Sequence, residues 1–375
     1  MDNITLIATA KFGLEKIVKN ELKALGFNQL AGGEGKVEFG AAWQDIPQAN
    51  LWLRCADRAL LKMGEFSALT FDELFEQTKA IPWEEVIPAD GRFPISAKTV
   101  KSTLRSPRSC QSIVKKAVAE RLQAAYGVEW LAETGGTYAI QVSLVRDTAV
   151  LAIDTSGAGL HKRGYRAEAG EAPLKETLAA GLVRLSSWRK EQALIDPLCG
   201  SGTILIEAAM IARNIAPGLN RSFAAEDWPV IDPVLWQEAR AAARDAVDGH
   251  GRLQIKGYDR DAASIAIAQS NAAKAGVADD IVFEQKELKD LWIDQQYGVL
   301  ISNPPYGRRL AGYKEVNNIY LTLNKTFRKK KGWAVYILTA DGMFPRYFKR
   351  GRPDRVRKLY NGKIRVNYYQ YHGEW

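Results

Sequence analysis

A glycine-containing segment at residues 196–203 combines residue types that commonly surround small polar ligands. It follows a short apolar run and precedes an apolar stretch with helical spacing, so we expect a strand, a loop and the start of a helix. Glycines let the backbone approach a ligand, and a helix N-terminus favours polar or anionic groups. It is not a P-loop, because no lysine follows the glycines, nor a dinucleotide motif, because Leu205 replaces the third glycine. A tight turn without a ligand is the open alternative.

A second acidic candidate ends the next predicted strand, in the segment Gly257-Tyr258-Asp259-Arg260-Asp261. An acid at this place in a doubly wound sheet often accepts hydrogen bonds from ribose hydroxyl groups. Asp259 is the candidate for that role, whereas Asp261 is expected to cap the following helix. Considered alone, an aspartate at a strand end is more often a cap than a ligand.

The third candidate is the segment Asn303-Pro304-Pro305-Tyr306-Gly307, which follows the apolar run Gly298–Ser302. Two consecutive prolines fix the backbone, so the nearby carbonyl groups point in fixed directions. An amide oxygen, a fixed carbonyl and an aromatic ring together suit a planar amine such as a nucleobase. A proline-rich turn with a surface tyrosine is the alternative.

The elements that must position these segments fall into two regions of the 375-residue chain. Residues 1–155 mix strands and amphipathic helices, which predicts an α+β region. Residues 156–173 change composition and mark a boundary, after which strands and helices alternate, as in a doubly wound and mainly parallel sheet. Residues 214–250 interrupt this alternation and are expected to be an insertion. A hairpin is expected near Tyr360-Asn361-Gly362-Lys363.

Basic residues are concentrated in two places. The chain has 52 Lys and Arg against 43 Asp and Glu, and residues 328–375 hold 13 basic and 3 acidic residues. Residues 98–121 hold seven basic residues and one acid, Glu120. Such stretches suit phosphate contacts, although a solvated helix face would have the same composition.

The cysteine and histidine content argues against a metal site. Cys55, Cys110 and Cys199 are far apart, and no Cys/His cluster occurs, so zinc is not expected. No apolar run is long enough to span a membrane, and the start lacks a basic stretch before an apolar run. A cytoplasmic protein without a membrane or metal partner is therefore expected.

The order of the three candidate segments resembles that of class I S-adenosylmethionine-dependent methyltransferases that methylate amines. The block Ala172–Ala180 resembles the motif that precedes the sheet in that family. The family often has an Asp after the strand Ile281–Gln285, where this chain has Lys286 and Glu287, so Glu287 is the candidate for the adenine contact. The resemblance implies S-adenosylmethionine as cofactor, bound by Pro173, Lys175, Glu176, Thr177, Asp196, Pro197, Cys199, Gly200, Ser201, Gly202, Thr203, Asp259, Arg260, Glu287 and Asn303. It implies a catalytic group of Asn303, Pro304, Pro305 and Tyr306.

The N-terminal half narrows the resemblance. Residues 103–117 resemble the characteristic region of RNA-binding THUMP domains, and the linker 160–166 resembles that of THUMP-linked methyltransferases. The whole chain is most similar to bacterial large-subunit ribosomal RNA guanosine-N2 methyltransferases of the RlmL type. The resemblance implies a ferredoxin-like domain at 1–62, a THUMP domain at 63–158 and a Rossmann-like α/β methyltransferase domain at 159–375. The basic composition of residues 98–121 independently favours RNA contacts, and the residues expected to make them are Lys98, Lys101, Arg105, Arg108, Lys115, Lys116, His161, Lys162 and Arg163. For His161, a contact between domains is the alternative.

The expected function is therefore methylation of the exocyclic N2 amine of a guanosine in 23S ribosomal RNA. Three alternatives stay open at this point: a tRNA guanosine-N2 methyltransferase, an adenine-N6 methylase, and a non-catalytic RNA-binding assembly factor. Neither the target nucleotide nor the oligomeric state follows from the sequence.

Overall fold

The structure is a computed structural model that describes residues 3–166, 174–305 and 313–374. Two seven-stranded sheets make up its framework, one in each half of the chain. Within the described residues, no helix is both long enough and apolar enough to cross a membrane.

The first sheet has the strand order β2-β3-β1-β4-β7-β6-β5, and β5 and β6 are its parallel pair. β4 runs without a break through the expected domain boundary at residues 62 and 63, so the two N-terminal domains share one sheet. The elements are β1 (Ile4–Ala10), α1 (Glu15–Ala24), β2 (Ala31–Gly33), β3 (Lys36–Ala41), α2 (Asp45–Trp52), β4 (Ala56–Ser67), α3 (Phe71–Ala80), β5 (Ile95–Val100), α4 (Pro107–Tyr126), β6 (Ile140–Val145) and β7 (Thr148–Asp154).

The ends of α4 show how local sequence sets these elements. The Ser106 hydroxyl accepts a hydrogen bond from the Ser109 backbone N–H, and Pro107 occupies the first helical position. Gly127 ends the helix with a φ of 66°, a left-handed conformation that glycine adopts without strain. Both ends of the helix agree with the expectation from the sequence.

The second sheet has the order β10-β9-β8-β11-β12-β14-β13. Its first five strands are parallel, and β14 and β13 form an antiparallel terminal hairpin, as expected. The elements are α5 (Glu176–Leu185), β8 (Leu194–Asp196), α6 (Thr203–Ala212), α7 (Pro233–Asp245), β9 (Ile255–Asp259), α8 (Ala262–Lys274), β10 (Ile281–Gln285), β11 (Gly298–Ser302), α9 (Tyr313–Phe327), β12 (Trp333–Thr339), α10 (Phe344–Tyr347), β13 (Arg355–Asn361) and β14 (Ile364–Tyr371).

The segment expected to be an insertion packs on the N-terminal half. The ring of Trp228 stacks on that of Tyr138 with 4.9 Å between centroids, and its indole N–H donates to the Thr137 carbonyl at 3.1 Å. Trp228 and Trp236 belong to the same apolar core as the first sheet. Residues 214–250 therefore join the two halves into one packed unit.

Candidate active site

A cavity of about 840 Å³ lies where the parallel strands of the second sheet end. β8 lies between β9 and β11, so the chain crosses from one side of the sheet to the other at this point, where open α/β sheets bind ligands. Most of the expected site residues line this cavity: Asp196, Pro197, Cys199, Gly200, Ser201, Thr203, Asp259, Arg260, Glu287, Asn303 and Pro305.

The glycine loop is held in a defined shape. Gly200 has a φ of 51° and Gly202 a φ of 78°, and the Gly202 N–H donates to the Cys199 carbonyl at 2.9 Å. A Cβ at Gly202 would lie 2.9 Å from Cζ of Phe283, so a side chain there is excluded by packing as well as by conformation. Gly202 therefore shapes the loop from behind the cavity.

Asp259 connects this loop to the next strand. Its Oδ2 accepts a hydrogen bond from the Gly200 N–H at 2.9 Å, and its Oδ1 accepts one from the Asp261 N–H at 3.0 Å. Each carboxylate oxygen can accept a further hydrogen bond, so the group can still bind ligand hydroxyls. Asp261 caps α8 through the N–H groups of Ala263 and Ser264, which confirms its expected role.

Asp196 is buried at the end of β8 and faces the same cavity. Burial raises the pKa of its carboxyl group to about 7, and the negative charge of Asp259 acts in the same direction. The Ser302 hydroxyl and the Leu198 N–H oppose this shift. A cationic ligand in the cavity would favour the ionised form of Asp196.

Asn303 follows the last residue of β11 and lines the cavity. Its Oδ1 is buried and has no hydrogen-bond partner among the described residues. Because a buried polar atom without a partner is costly, this oxygen is a ready acceptor for a ligand N–H group. Pro304 is buried next to it, whereas Tyr306 and Gly307 lie outside the described residues.

The segment that precedes the second sheet supplies fewer residues to the cavity lining than expected. The cavity lining includes Leu174 but not Lys175, Glu176 or Thr177, and Pro173 lies outside the described residues. The Thr177 hydroxyl donates to Oδ1 of Asp57 in the N-terminal half at 3.2 Å. These residues join the domains and support the wall of the cavity.

Arg166 is a supporting residue that sequence reasoning missed. Its guanidinium lies 3.3 Å from Oε1 of Glu176 and donates to the Thr203 hydroxyl at 2.7 Å and the Leu174 carbonyl at 3.0 Å. Burial raises the pKa of Glu176, and the charge of Arg166 opposes that shift. Arg166 thus connects the linker, α5 and the start of α6.

The cavity is also lined by residues that were not expected to bind the ligand, and most of them lie outside the three candidate segments. Several are on α9, where Glu315 pairs with Arg260 at 2.7 Å. They are Leu174, Leu198, Ile204, Asp261, Ser264, Ile267, Leu288, Lys289, Glu315, Asn318, Ile319 and Thr322.

Some of the residues expected to contact RNA are exposed to solvent, whereas others already contact neighbouring protein groups. Lys115 is engaged, because its ammonium group lies 2.5 Å from Glu133 and 3.4 Å from the ring centre of Phe93. Burial lowers the pKa of His161 to about 4, helped by the charges of Lys175 and Arg163, so His161 is neutral near pH 7. The exposed residues are Lys98, Lys101, Arg105, Arg108, Lys116 and Lys162.

Arg163 is a correction, because its side chain is only 2% exposed. It pairs with buried Glu207 at 3.3 Å and donates to the carbonyl groups of Leu160, at 2.7 Å, and Arg54. The guanidinium therefore joins the linker, the N-terminal half and α6, and cannot reach a bound RNA. The prediction of a direct RNA contact at Arg163 is wrong.

Family models match the chain in three consecutive parts. Residues 5–60 match the RlmL ferredoxin-like domain, residues 68–154 match the THUMP domain, and residues 163–370 match the RMKL-like methyltransferase domain. These matches confirm the expected fold class.

Two of the similar proteins illustrate the relationship. "Putative RNA methyltransferase YpsC" of Bacillus subtilis (strain 168) is 46% identical over 373 residues, covering 99% of this chain and 96% of that protein. "Ribosomal RNA large subunit methyltransferase K/L" of Syntrophotalea carbinolica is 34% identical over 375 residues, covering 96% of this chain and 52% of that protein. The chain thus spans about half the length of the latter relative.

Several solved structures resemble the chain over its full length, and two of them bear on its function. One is a "predicted N6-adenine-specific DNA methylase" from Listeria monocytogenes, 45% identical, with a TM-score of 0.94, covering 100% of this chain and 97% of that one. The other is SMU.472 complexed with SAH, which is 42% identical, with a TM-score of 0.93, covering 100% of this chain and 99% of that one.

The cavity fits S-adenosylmethionine, which is the cofactor of this chain. The Asp259 carboxylate has acceptor capacity that would suit ribose hydroxyl groups, and the backbone around Gly200 lines the cavity. Glu287, which pairs with Lys289 at 2.7 Å, and Leu288 form the wall where the adenine contact was expected. The chain belongs to the RMKL-like methyltransferase family, with RlmL ferredoxin-like and THUMP domains ahead of an S-adenosylmethionine-dependent methyltransferase domain.

Proposed function

We propose that this protein methylates the exocyclic N2 amine of a guanosine in large-subunit ribosomal RNA. The observation that carries the proposal is the buried Oδ1 of Asn303, which lines the cofactor cavity and has no hydrogen-bond partner in the part of the chain that the structure describes. An exocyclic amine has N–H groups that can donate a hydrogen bond to this oxygen. The THUMP match and the exposed basic residues around α4 support RNA as the polymer. The ribosomal RNA methyltransferase named above supports the large-subunit substrate.

Asn303 acts on the target amine in this account. Its Oδ1 and the carbonyl oxygen of Pro304 accept hydrogen bonds from the amine, which hold the nitrogen in place. These contacts favour a pyramidal nitrogen whose lone pair is less delocalised into the base. Because these contacts position the nitrogen for attack, the proposed reaction needs no dedicated base.

The other site residues bind and orient. When bound, S-adenosylmethionine supplies a methyl group on a positively charged sulfur. Asp259 accepts hydrogen bonds from ribose hydroxyls, and the ionised form of Asp196 favours a cationic ligand. Tyr306, which lies outside the described residues, would stack on a base that has left its helix or was already unpaired.

A second candidate is methylation of adenine N6 in DNA. The description of the Listeria monocytogenes structure favours it, and an Asn-Pro-Pro-Tyr segment suits adenine as well as guanine. The THUMP domain favours RNA instead. A tRNA substrate would use the same chemistry.

The polymer is tested by supplying purified protein and tritiated S-adenosylmethionine separately with protein-free 23S ribosomal RNA, tRNA and duplex DNA. We expect label in the ribosomal RNA alone. Label confined to DNA would support the adenine reading, and label confined to tRNA would change the substrate. No label in any polymer, together with no binding of S-adenosylhomocysteine, would overturn an enzymatic role.

A further inference from the structure

The terminal hairpin extends past the edge of the sheet where the cavity opens. Thr339, the last residue of β12, pairs with Asn367, so the residues of β14 before Asn367 lie beyond the end of β12. Ile364 therefore stands about 10 Å beyond that edge at the usual rise per residue. β14 is two strands away from β11, which places the hairpin tip (Lys358–Arg365) on the order of 15 Å from Asn303.

One face of the hairpin lies on the same side of the sheet as α9, the helix that lines the cavity. Tyr369 on that face packs on Phe344 with 5.3 Å between ring centres, and Phe344 packs on Tyr320 of α9 at 5.0 Å. Residues that pair directly share a face in an antiparallel ladder. The tip residues on the face of Tyr369 are Lys358, Tyr360 and Arg365.

The side chains of the tip have the composition of a nucleic-acid contact. Residues 355–365 include five basic residues and no acid. Among the described residues, Lys358, Lys363 and Arg365 are exposed and have no acidic partner, whereas Lys115 and Lys116 on α4 both do. Unpaired cations remain available for phosphate groups.

Aromatic and apolar side chains accompany these cations. Tyr360 is 37% exposed and Ile364 is 53% exposed. Phe12 of the β1–α1 loop is 51% exposed and meets Tyr360 edge to face at 6.1 Å. Rings beside cations are the arrangement that binds unpaired bases together with their phosphates.

The loop from the N-terminal half fits the hairpin closely. Gly13 has a φ of 92°, and a Cβ there would lie 2.9 Å from both Cδ2 of Leu359 and the Lys358 carbonyl oxygen. This contact fixes Phe12 beside Tyr360, so two distant parts of the chain form one continuous surface.

We propose that this surface, consisting of Phe12, Lys358, Tyr360, Lys363 and Arg365, binds the RNA strand next to the nucleotide in the active site. The inference rests on the proposed function for its substrate. The cations contact phosphates, and the two rings stack with an unpaired neighbouring base. An acidic protein partner would suit the charges but would not require exposed rings beside the cavity.

The test compares two triple variants that remove the same charge. Lys358→Ala/Lys363→Ala/Arg365→Ala removes the tip cations. Lys325→Ala/Arg328→Ala/Lys329→Ala removes three exposed cations around the end of α9, close to the opposite edge of the sheet. Binding of a fluorescein-labelled, unstructured RNA is measured by anisotropy at several salt concentrations. Thermal melting and S-adenosylhomocysteine affinity confirm that both variants fold.

We expect the tip variant to bind RNA about tenfold more weakly and to lower the slope of log affinity against log salt concentration by about 2. The control variant should show a much smaller change in both the affinity and the slope. Tyr360→Ala should weaken binding about fivefold and Tyr360→Phe much less, because phenylalanine keeps the stacking face. Unchanged binding by the tip variant, or equal losses in both triple variants, would overturn the proposal. Because binding is measured without methyl transfer, this result is independent of whether wild type methylates ribosomal RNA.

Discussion

Replacement of Asn303 by alanine should separate catalysis from folding and from cofactor binding. Its Oδ1 is buried without a partner among the described residues, and such an atom costs about 1–3 kcal/mol of stability. Asn303→Ala removes that cost together with the side chain's remaining contacts. We therefore expect the free energy of unfolding to stay within about 1 kcal/mol of wild type or to rise.

Methyl transfer should respond in the opposite way. Loss of a group that contacts the reacting atoms typically lowers kcat by about 10²–10³-fold. Single-turnover assays with saturating S-adenosylmethionine measure this loss, and calorimetry with S-adenosylhomocysteine measures cofactor affinity. We expect cofactor affinity to change by no more than about twofold, because the ribose and loop contacts lie elsewhere.

Asn271→Ala is the matched control. The Asn271 side chain is 1% exposed, and its amide donates to the Ser201 carbonyl at 3.2 Å. Its loss should lower the free energy of unfolding by about 1–3 kcal/mol and should also weaken cofactor binding, because Ser201 is in the glycine loop. The reasoning would be refuted if Asn303→Ala kept full activity, or if it destabilised the protein as much as Asn271→Ala does.

Asp259, Asp196 and Arg163 provide further tests of the contacts described above. Asp259→Ala should weaken S-adenosylhomocysteine binding at least about tenfold by calorimetry; unchanged affinity would reject its ribose role. Burial raises the pKa of Asp196 from 3.8 to about 7, so between these pH values the folded state keeps a proton that the unfolded chain loses. The free energy of unfolding of wild type, measured in denaturant titrations, should therefore fall from about pH 4 to 7 relative to that of Asp196→Asn. The same dependence of stability on pH in wild type and in Asp196→Asn would contradict this prediction. Arg163→Ala removes the cationic partner of buried Glu207 and should lower the free energy of unfolding by about 3–5 kcal/mol, whereas Lys162→Ala should change it little. Unchanged stability of Arg163→Ala would contradict the interior role of this residue.

Local sequence was sufficient where neighbouring residues determine the structure. Ser106-Pro107 and Gly127 predicted both ends of α4, and the turn residues near Asn361-Gly362 predicted the terminal hairpin. The strand-end positions of Asp259 and Asn303 could also be predicted, because strand ends in a parallel sheet meet at one edge.

Contacts between distant segments could not be predicted in this way. Arg163 lies in a basic stretch that suggested RNA binding, but Glu207, 44 residues later, pairs with it in the interior. Likewise, nothing local to Trp228 indicates that it stacks on Tyr138.

The identity of the methylated nucleoside tests the central claim most directly. Ribosomal RNA methylated by the purified protein is digested to nucleosides, and the labelled product is identified by mass spectrometry. The proposed function predicts N2-methylguanosine from wild type and a loss of at least about 100-fold from Asn303→Ala. N6-methyladenosine as the product, or undiminished methylation by the variant, would contradict it.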